Sequence, residues 1–324
     1  MVNILSIKAP IKKEMEEFES FFKSSIKTKV PLLDHITNYI LRRKGKQLRP
    51  ILVFLTAKII GDPNKSTFNA AALIELLHTA TLIHDDVVDD SYERRGYFSL
   101  YAIWKTKISV LVGDYLLSRG LLLAVAEKEF KQLEIVSEAV KEMSEGELFQ
   151  IQKIRKLNIT EKEYFDIIRK KTATLMIACA ASGASSVSND QEKINSLKLY
   201  AEHAGLAFQI KDDIFDYQKK GLIGKPIAND IKEKKLTLPL IHALSNASPG
   251  EKREILGLIR RNNNNSGKIQ KVIDFVLNKK GVEYAIDKMN EHKQKAIDSL
   301  SEFPDNEAKK SLIDLAGYIT ERNK

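Results

Sequence analysis

The sequence predicts an all-α fold, and three observations carry that expectation. The 324 residues include only 15 glycines and 8 prolines, apolar residues recur at intervals of three and four, and no segment alternates convincingly enough for a strand. The periodicity places helices at 12–24, 32–43, 50–60, 68–89, 108–127, 133–150, 160–182 and 193–217, with several more toward the C-terminus. Pro50 suits the start of the third. The helix over 68–89 is apolar nearly all round (Leu73, Ile74, Leu76, Leu77, Ala80, Leu82, Ile83, Val87), as expected of a helix buried inside a bundle. Connections are expected at Gly61-Asp62-Pro63-Asn64, 183–190, 221–226 and 262–267, where the composition is that of loops. The asparagine run at 262–265 reads as a solvated loop.

Hydrophobic residues at 43% and charged residues at 29% describe an ordinary globular chain with enough apolar surface for a large core, and the length fits one or two domains. The net charge of +9 favours anionic partners without choosing among nucleic acid, anionic membrane and phosphorylated small molecules. Cys179 is the only cysteine and sits in an apolar run, which excludes an intramolecular disulfide and fits a reducing compartment. Lysines and glutamates are mixed near the N-terminus, unlike a targeting segment. Asp114 and Arg119 interrupt the apolar run 110–126, so no membrane span is expected and the protein reads as cytoplasmic.

Two acidic clusters stand out. Asp85-Asp86-Val87-Val88-Asp89 closes the buried helix, and Asp212-Asp213-Ile214-Phe215-Asp216 closes the helix over 193–217. In each, carboxylates at i and i+4 share a face and repel, at the end where the helix dipole is also negative. A cation should compensate. Magnesium, which takes one or two carboxylates and bridges to phosphates, is the natural candidate, and it points to diphosphate chemistry. A single such cluster is also what a solvated helix end looks like; two, each closing an apolar helix, are harder to explain that way.

The remaining phosphate oxygens need donors. Gly45-Lys46-Gln47-Leu48-Arg49-Pro50 precedes a helix, Arg94-Arg95-Gly96 follows the first cluster, and His78 lies two turns before Asp85 on nearly the same face. Lys171, Thr172, Gln209, Lys225 and Lys235 add to these. Singly, each has a plain alternative, such as Arg94 pairing with a nearby acid or His78 being a satisfied core residue.

Together these motifs resemble the trans-isoprenyl diphosphate synthase (polyprenyl synthetase) family from about residue 44 to 239, with Phe208-Gln209-Ile210-Lys211-Asp212 and Lys235-Leu236-Thr237-Leu238-Pro239 extending the match. The resemblance implies one domain over 1–324, a single large helical bundle around a central cavity, and a homodimer. It implies catalysis through Asp85, Asp86, Asp89, Lys171, Asp212, Asp213 and Asp216, with Asp85, Asp89 and Asp212 ligating magnesium. Arg94, Lys171, Thr172, Gln209, Lys225 and Lys235 would grip an allylic diphosphate, and Gly45, Lys46, Arg49, His78 and Arg95 would hold isopentenyl diphosphate. Gln47 stands where arginine is common, Tyr97-Phe98-Ser99 replaces a Lys-Pro-Thr-like stretch, and Ala228, Asn229 and Lys234 replace a frequent Gly, Asp and Gly. These last three leave Asp230 without an assigned role.

The implied reaction adds isopentenyl diphosphate units to farnesyl or geranyl diphosphate, giving a medium or long all-trans chain such as a quinone side-chain precursor. The growing tail would run from Asp85 toward the N-terminus of its helix, past Thr81 and Ile74, about 16 Å deeper. Only the resemblance places Ala80 beside the tail; Leu77, Leu122 and Val136 are candidate floor residues. The alternatives are a short-chain (farnesyl or geranylgeranyl) synthase, a terpene cyclase, a noncatalytic partner subunit and a basic nucleic-acid-binding protein. Neither nucleic acid nor a membrane span is expected as a partner, only transient membrane contact on product release.

Overall fold

The computed structural model describes residues 3–43, 45–94, 96–217, 229–261 and 265–321. Its helices are α1 (Ile4–Lys8), α2 (Lys12–Ser25), α3 (Pro31–Arg42), α4 (Leu48–Lys58), α5 (Lys65–Val88), α6 (Leu100–Ala126), α7 (Phe130–Lys156), α8 (Glu161–Ile168), α9 (Thr174–Val187), α10 (Gln191–Phe215), α11 (Asn229–Lys232), α12 (Leu238–Ser245), α13 (Pro249–Arg261), α14 (Ser266–Asn278), α15 (Gly281–Asp298) and α16 (Glu307–Glu321). A π-helical turn, Arg169–Ala173, joins α8 to α9. The all-α expectation holds.

At the centre lies α5, packed against α4, α6 and α9. It begins before the apolar pattern does because Asn64 caps it. The Asn64 side chain accepts from the N–H groups of Ser66 and Thr67, and the Thr67 hydroxyl oxygen accepts from the Asn64 N–H. The apolar core has two parts that share α10. Ile194, Leu197, Tyr200 and Ala201 join the core around α4, α5 and α9. Leu206, Ala207, Ile210 and Ile214 join the core around α8, α12, α14 and α15. The acidic end of α10 is thereby held at the top of the second core.

Four expectations are corrected. Among the described residues there is one short antiparallel ribbon, β1 (Glu93–Arg94) with β2 (Tyr97–Phe98), too short to leave a period-two signature. Of the loop expected over 183–190 only 188–190 is loop, because α9 runs on to Val187. Gly183 is there for space: a Cβ would meet the Val53 carbonyl oxygen at 2.2 Å, so it lets α9 lie against α4. The helix expected over 160–182 runs from Glu161 to Val187 but widens into the π turn at Arg169–Ala173. Small residues on both sides let that wider turn pack: a Cβ on Gly146 of α7 would lie 2.8 Å from the Lys170 Cβ, and one on Gly205 of α10 would lie 2.7 Å from the Ala173 Cα. Finally, α6 starts at Leu100, is kinked at Lys105 (φ 63°), and at 27 residues is long and apolar enough to cross a membrane by length and composition, despite Asp114 and Arg119. It packs along α5, which accounts for one apolar face and leaves another outward.

α10 is tied to α15 by His203 and His292, whose Nδ1 atoms are 3.1 Å apart, with the Phe165 ring 5.4 Å from that of His292. Burial first, then the neighbouring His203, pushes the His292 imidazole down to about 4, and burial also lowers His203. Both are neutral in the fold near pH 7. An unfolded chain takes up these protons first as pH falls, so the folded state loses stability from about pH 6.5 down to about pH 4. Between pH 7 and pH 4 the wild type should lose about 2 kcal/mol more than His292→Asn, after allowing for partial solvation. Urea melts of both proteins at the two pH values measure this, and equal losses would contradict it.

Candidate active site

Both acidic motifs sit as their spacing requires. Asp85 and Asp86 lie in the last turn of α5 with Asp89 as its C-cap, and Asp212 and Asp213 lie in the last turn of α10 with Asp216 as its C-cap. The middle carboxylates turn inward: Asp86 is 4% and Asp213 3% exposed. Asp85 and Asp89 are exposed, while Asp212 and Asp216 are half-buried. Each motif thus offers an accessible i, i+4 pair around an anchored acid.

The anchors differ. Arg94 Nε donates to Asp86 Oδ1 at 2.7 Å, tying the ribbon to α5. Asp213 accepts from the Tyr164 hydroxyl at 2.6 Å and from Gln209 Nε2 at 2.9 Å, and Gln209 Oε1 in turn accepts from the Thr172 hydroxyl at 2.8 Å. Thr172 thus supports the Asp213 anchor through Gln209. The Asp230 backbone N–H donates to Asp216 Oδ2 at 2.6 Å, which brings a further acid to the same end of α10.

These acids are crowded. Burial, then the charges of Asp212 and Asp216, pushes Asp213 up to about 7 against the pull of its hydrogen bonds. Burial and the charges of Asp213 and Asp216 push Asp230 up to about 8. In Asp85, partial desolvation followed by Asp89 raises the carboxyl, while Arg94 and Lys171 oppose the shift. Carboxylates that resist ionisation beside one another form a donor set that a hard divalent cation fits, because its charge reverses each unfavourable term. Among the described residues no three His, Cys, Asp or Glu side chains form a ready-made metal cage. One or two carboxylates per ion, completed by phosphate and water oxygens, is the arrangement magnesium favours.

Two clefts open at these helix ends. The first is lined by Lys171, Thr172, Gln209, Asp213, Asp230 and Lys235. Lys171 projects from the π turn and is held by Glu147 (2.5 Å) and Gln150 (2.8 Å) of α7. Lys235 lies 2.5 Å from Glu233; although burial works against its charge, Glu233 and Asp230 hold its ammonium above the ordinary value. The second cleft lies between α3, α5 and the ribbon and is lined by Gly45, His78, Asp86 and Arg94. Arg94, expected at the allylic diphosphate, thus lines the same wall as two of the isopentenyl candidates. Lys46 Nζ stands 5.1 Å over the Tyr318 ring. The charge of Arg49 is felt by the buried Cys179 thiol, which burial pushes up to about 12. Arg95, Lys225 and Ala228 lie outside the described residues.

The family of this site follows from its sequence. Residues 30–276 match the polyprenyl synthetase family model. The chain belongs to that family, and it is a prenyl-transferring enzyme. Its relatives include the all-trans-nonaprenyl-diphosphate synthase (geranyl-diphosphate specific) of Rhodobacter capsulatus, 36% identical over 98% of this chain and 97% of that one. They also include the octaprenyl diphosphate synthase of Escherichia coli, 32% identical over all of both chains. Among solved structures, the polyprenyl synthase of Caulobacter crescentus complexed with calcium and isoprenyl diphosphate superposes with a TM-score of 0.90 at 31% identity, covering 99% of this chain and 98% of that one.

Of the chain-length candidates, Ile74, Leu77, Ala80 and Val136 are buried in one apolar cluster beneath the end of α5, and half-buried Thr81 donates its hydroxyl proton to the His78 carbonyl at 2.9 Å. Leu122 is corrected: it is 60% exposed on the outward face of α6 and is no floor of a tunnel enclosed by one chain. The single-letter pattern could not separate the two apolar faces of α6. Sequence reasoning also missed Tyr164, Glu147 and Gln150, which carry no motif and reach the site only because α7 and α8 pack beside the π turn.

Proposed function

We propose that the protein joins isopentenyl diphosphate repeatedly to geranyl or farnesyl diphosphate with magnesium, releasing a medium or long all-trans polyprenyl diphosphate of the kind used for quinone side chains. The observation that carries this reading is the pair of clefts: one holds Lys153, Lys171 and Lys235 beside the Asp213 end of α10, the other holds His78, Gly45 and Arg94 beside the Asp86 end of α5. A terpene cyclase has one diphosphate to bind and no use for the second cleft. The octaprenyl and nonaprenyl relatives support the longer products.

Magnesium, held by Asp85, Asp89 and Asp212, would supply Lewis-acid neutralisation of the departing diphosphate. Lys171 and Lys235 supply fixed positive charge to the same leaving group, where charge develops as the allylic carbon–oxygen bond breaks. Tyr164, Gln209 and Thr172 keep Asp213 in place. Residues of the second cleft hold isopentenyl diphosphate with its double bond facing the allylic carbon, an orientation that contributes much of the remaining rate. The proton lost after bond formation passes to the released diphosphate, so no side-chain base is needed.

A second copy of the chain would cover the outward apolar face made by Leu111, Leu121, Leu122 and Val125 of α6 with Leu148 and Ile151 of α7, all exposed in one chain. Sedimentation should then give twice 36.7 kDa; a monomer would remove this proposal. For the reaction, the enzyme is incubated with isopentenyl and allylic diphosphates, with magnesium or with a chelator. Magnesium-dependent release of diphosphate should accompany consumption of isopentenyl diphosphate, and the dephosphorylated products should be medium or long chains. Release without isopentenyl consumption would indicate a cyclase; products that stop at farnesyl or geranylgeranyl length would indicate the short-chain alternative.

A further inference from the structure

We propose that Arg43, just beyond the end of α3, is a diphosphate-binding residue of the second cleft; this rests on the reading of that cleft as the isopentenyl diphosphate site. Arg43 lines the cleft with Gly45, His78, Asp86 and Arg94. Its guanidinium carbon lies 3.3 Å from the centroid of the Tyr39 ring and 4.8 Å from that of Tyr97. Tyr39 is itself fixed: its hydroxyl donates to the Phe98 carbonyl at 2.6 Å, and Trp104 meets its ring edge-on at 5.1 Å.

A guanidinium held over an aromatic ring spends none of its N–H donors on that contact, and those donors are what grip phosphate oxygens. Arg43 Nε is buried and has no hydrogen-bond partner among the described residues. A desolvated donor of that kind is unfavourable until a ligand meets it. Two acids line the cleft, Glu75 and Asp86, and Asp86 accepts from Arg94. Gln47, on the neighbouring segment, lines a different groove with Met15 and Glu19 and brings nothing to this one. Arg43 is therefore placed to add a cation that the 45–50 segment lacks at Gln47. Because Tyr97 belongs to β2, the stack also ties the ribbon carrying Arg94 to α3, so one residue both binds and sets the position of its neighbour.

Tyr39, Arg43 and Tyr97 also line an outer groove with Asp34 and His35, so the competing account is that the stack is only a wall. Initial-rate kinetics, varying each substrate in turn, separate the two. Arg43→Ala should raise KM for isopentenyl diphosphate by about 10–100-fold, as loss of a charge-assisted contact does. KM for the allylic substrate should stay within about twofold, and the melting temperature should be close to wild type. Arg43→Gln keeps a flat polar group in the stack but removes the charge, and should show the same selective rise even if Arg43→Ala folds poorly. An unchanged isopentenyl KM in folded Arg43→Gln, or equal rises for both substrates, would overturn the proposal. His78→Ala, at a residue that lines the cleft, is the control on the underlying reading. If it raises the isopentenyl KM while Arg43→Gln does not, the cleft stands and Arg43 is a wall. If wild type consumes no isopentenyl diphosphate, the reading of the cleft itself fails.

Discussion

Asp212→Ala and Asp85→Ala are each expected to lower kcat by about 10²–10³-fold, the scale of losing one fixed electrostatic contact to a developing anion, without lowering the melting temperature. Each removes an accessible carboxylate: Asp85 is exposed and Asp212 half-buried, and neither packs in the core. The charge removed is one the fold tolerates poorly. Asp85 is raised by desolvation and by Asp89, and the charge of Asp212 helps raise Asp213. Truncation therefore relieves repulsion, and stability should stay level or rise slightly. Asp213→Ala is the contrast. It strands the hydroxyl of Tyr164 and the amide of Gln209 in a buried site, so about 1–3 kcal/mol of stability should go with the activity. Thermal melts and single-turnover rates on the three variants decide the matter. Near-native turnover in folded Asp85→Ala or Asp212→Ala would remove these residues from the chemistry.

Ala80→Tyr is expected to keep catalysis but shorten the product to farnesyl or geranylgeranyl length. Ala80 lies five residues before Asp85, about 8 Å along the helix axis, and is 2% exposed within the apolar cluster that includes Ile74, Leu77 and Val136. If an elongating tail passes there, a phenol ring obstructs it near the mouth and leaves the acidic end of α5 untouched. If Ala80 instead only permits close packing of α5, the added ring overpacks the core at a cost of about 1–3 kcal/mol and does nothing to chain length. Chromatography of dephosphorylated products, read beside the melting temperature, distinguishes these outcomes. A destabilised but active variant with unchanged products would end the tunnel argument.

The helical class, the burial of α5 and the two acidic helix ends were legible in the residues alone, because each is written in local spacing: a 3.6-residue period, an apolar run without a polar face, carboxylates at i and i+4. The sequence also pointed to Lys171, Gln209 and Lys235, which do line one cleft, and to Gly45 and His78, which line the other. What local spacing does not contain is the partner across the gap. Gly183 reads as a loop residue until Val53 is seen beneath it, and nothing local shows that the Thr172 hydroxyl meets Gln209. Leu122 looks like the floor of one chain's own tunnel until it is found 60% exposed. These, the π turn that carries Lys171 and the contact of Arg43 with Tyr39 emerge only on folding, because each depends on which helix face meets which neighbour, and residues far apart in the chain supply the other half of most contacts.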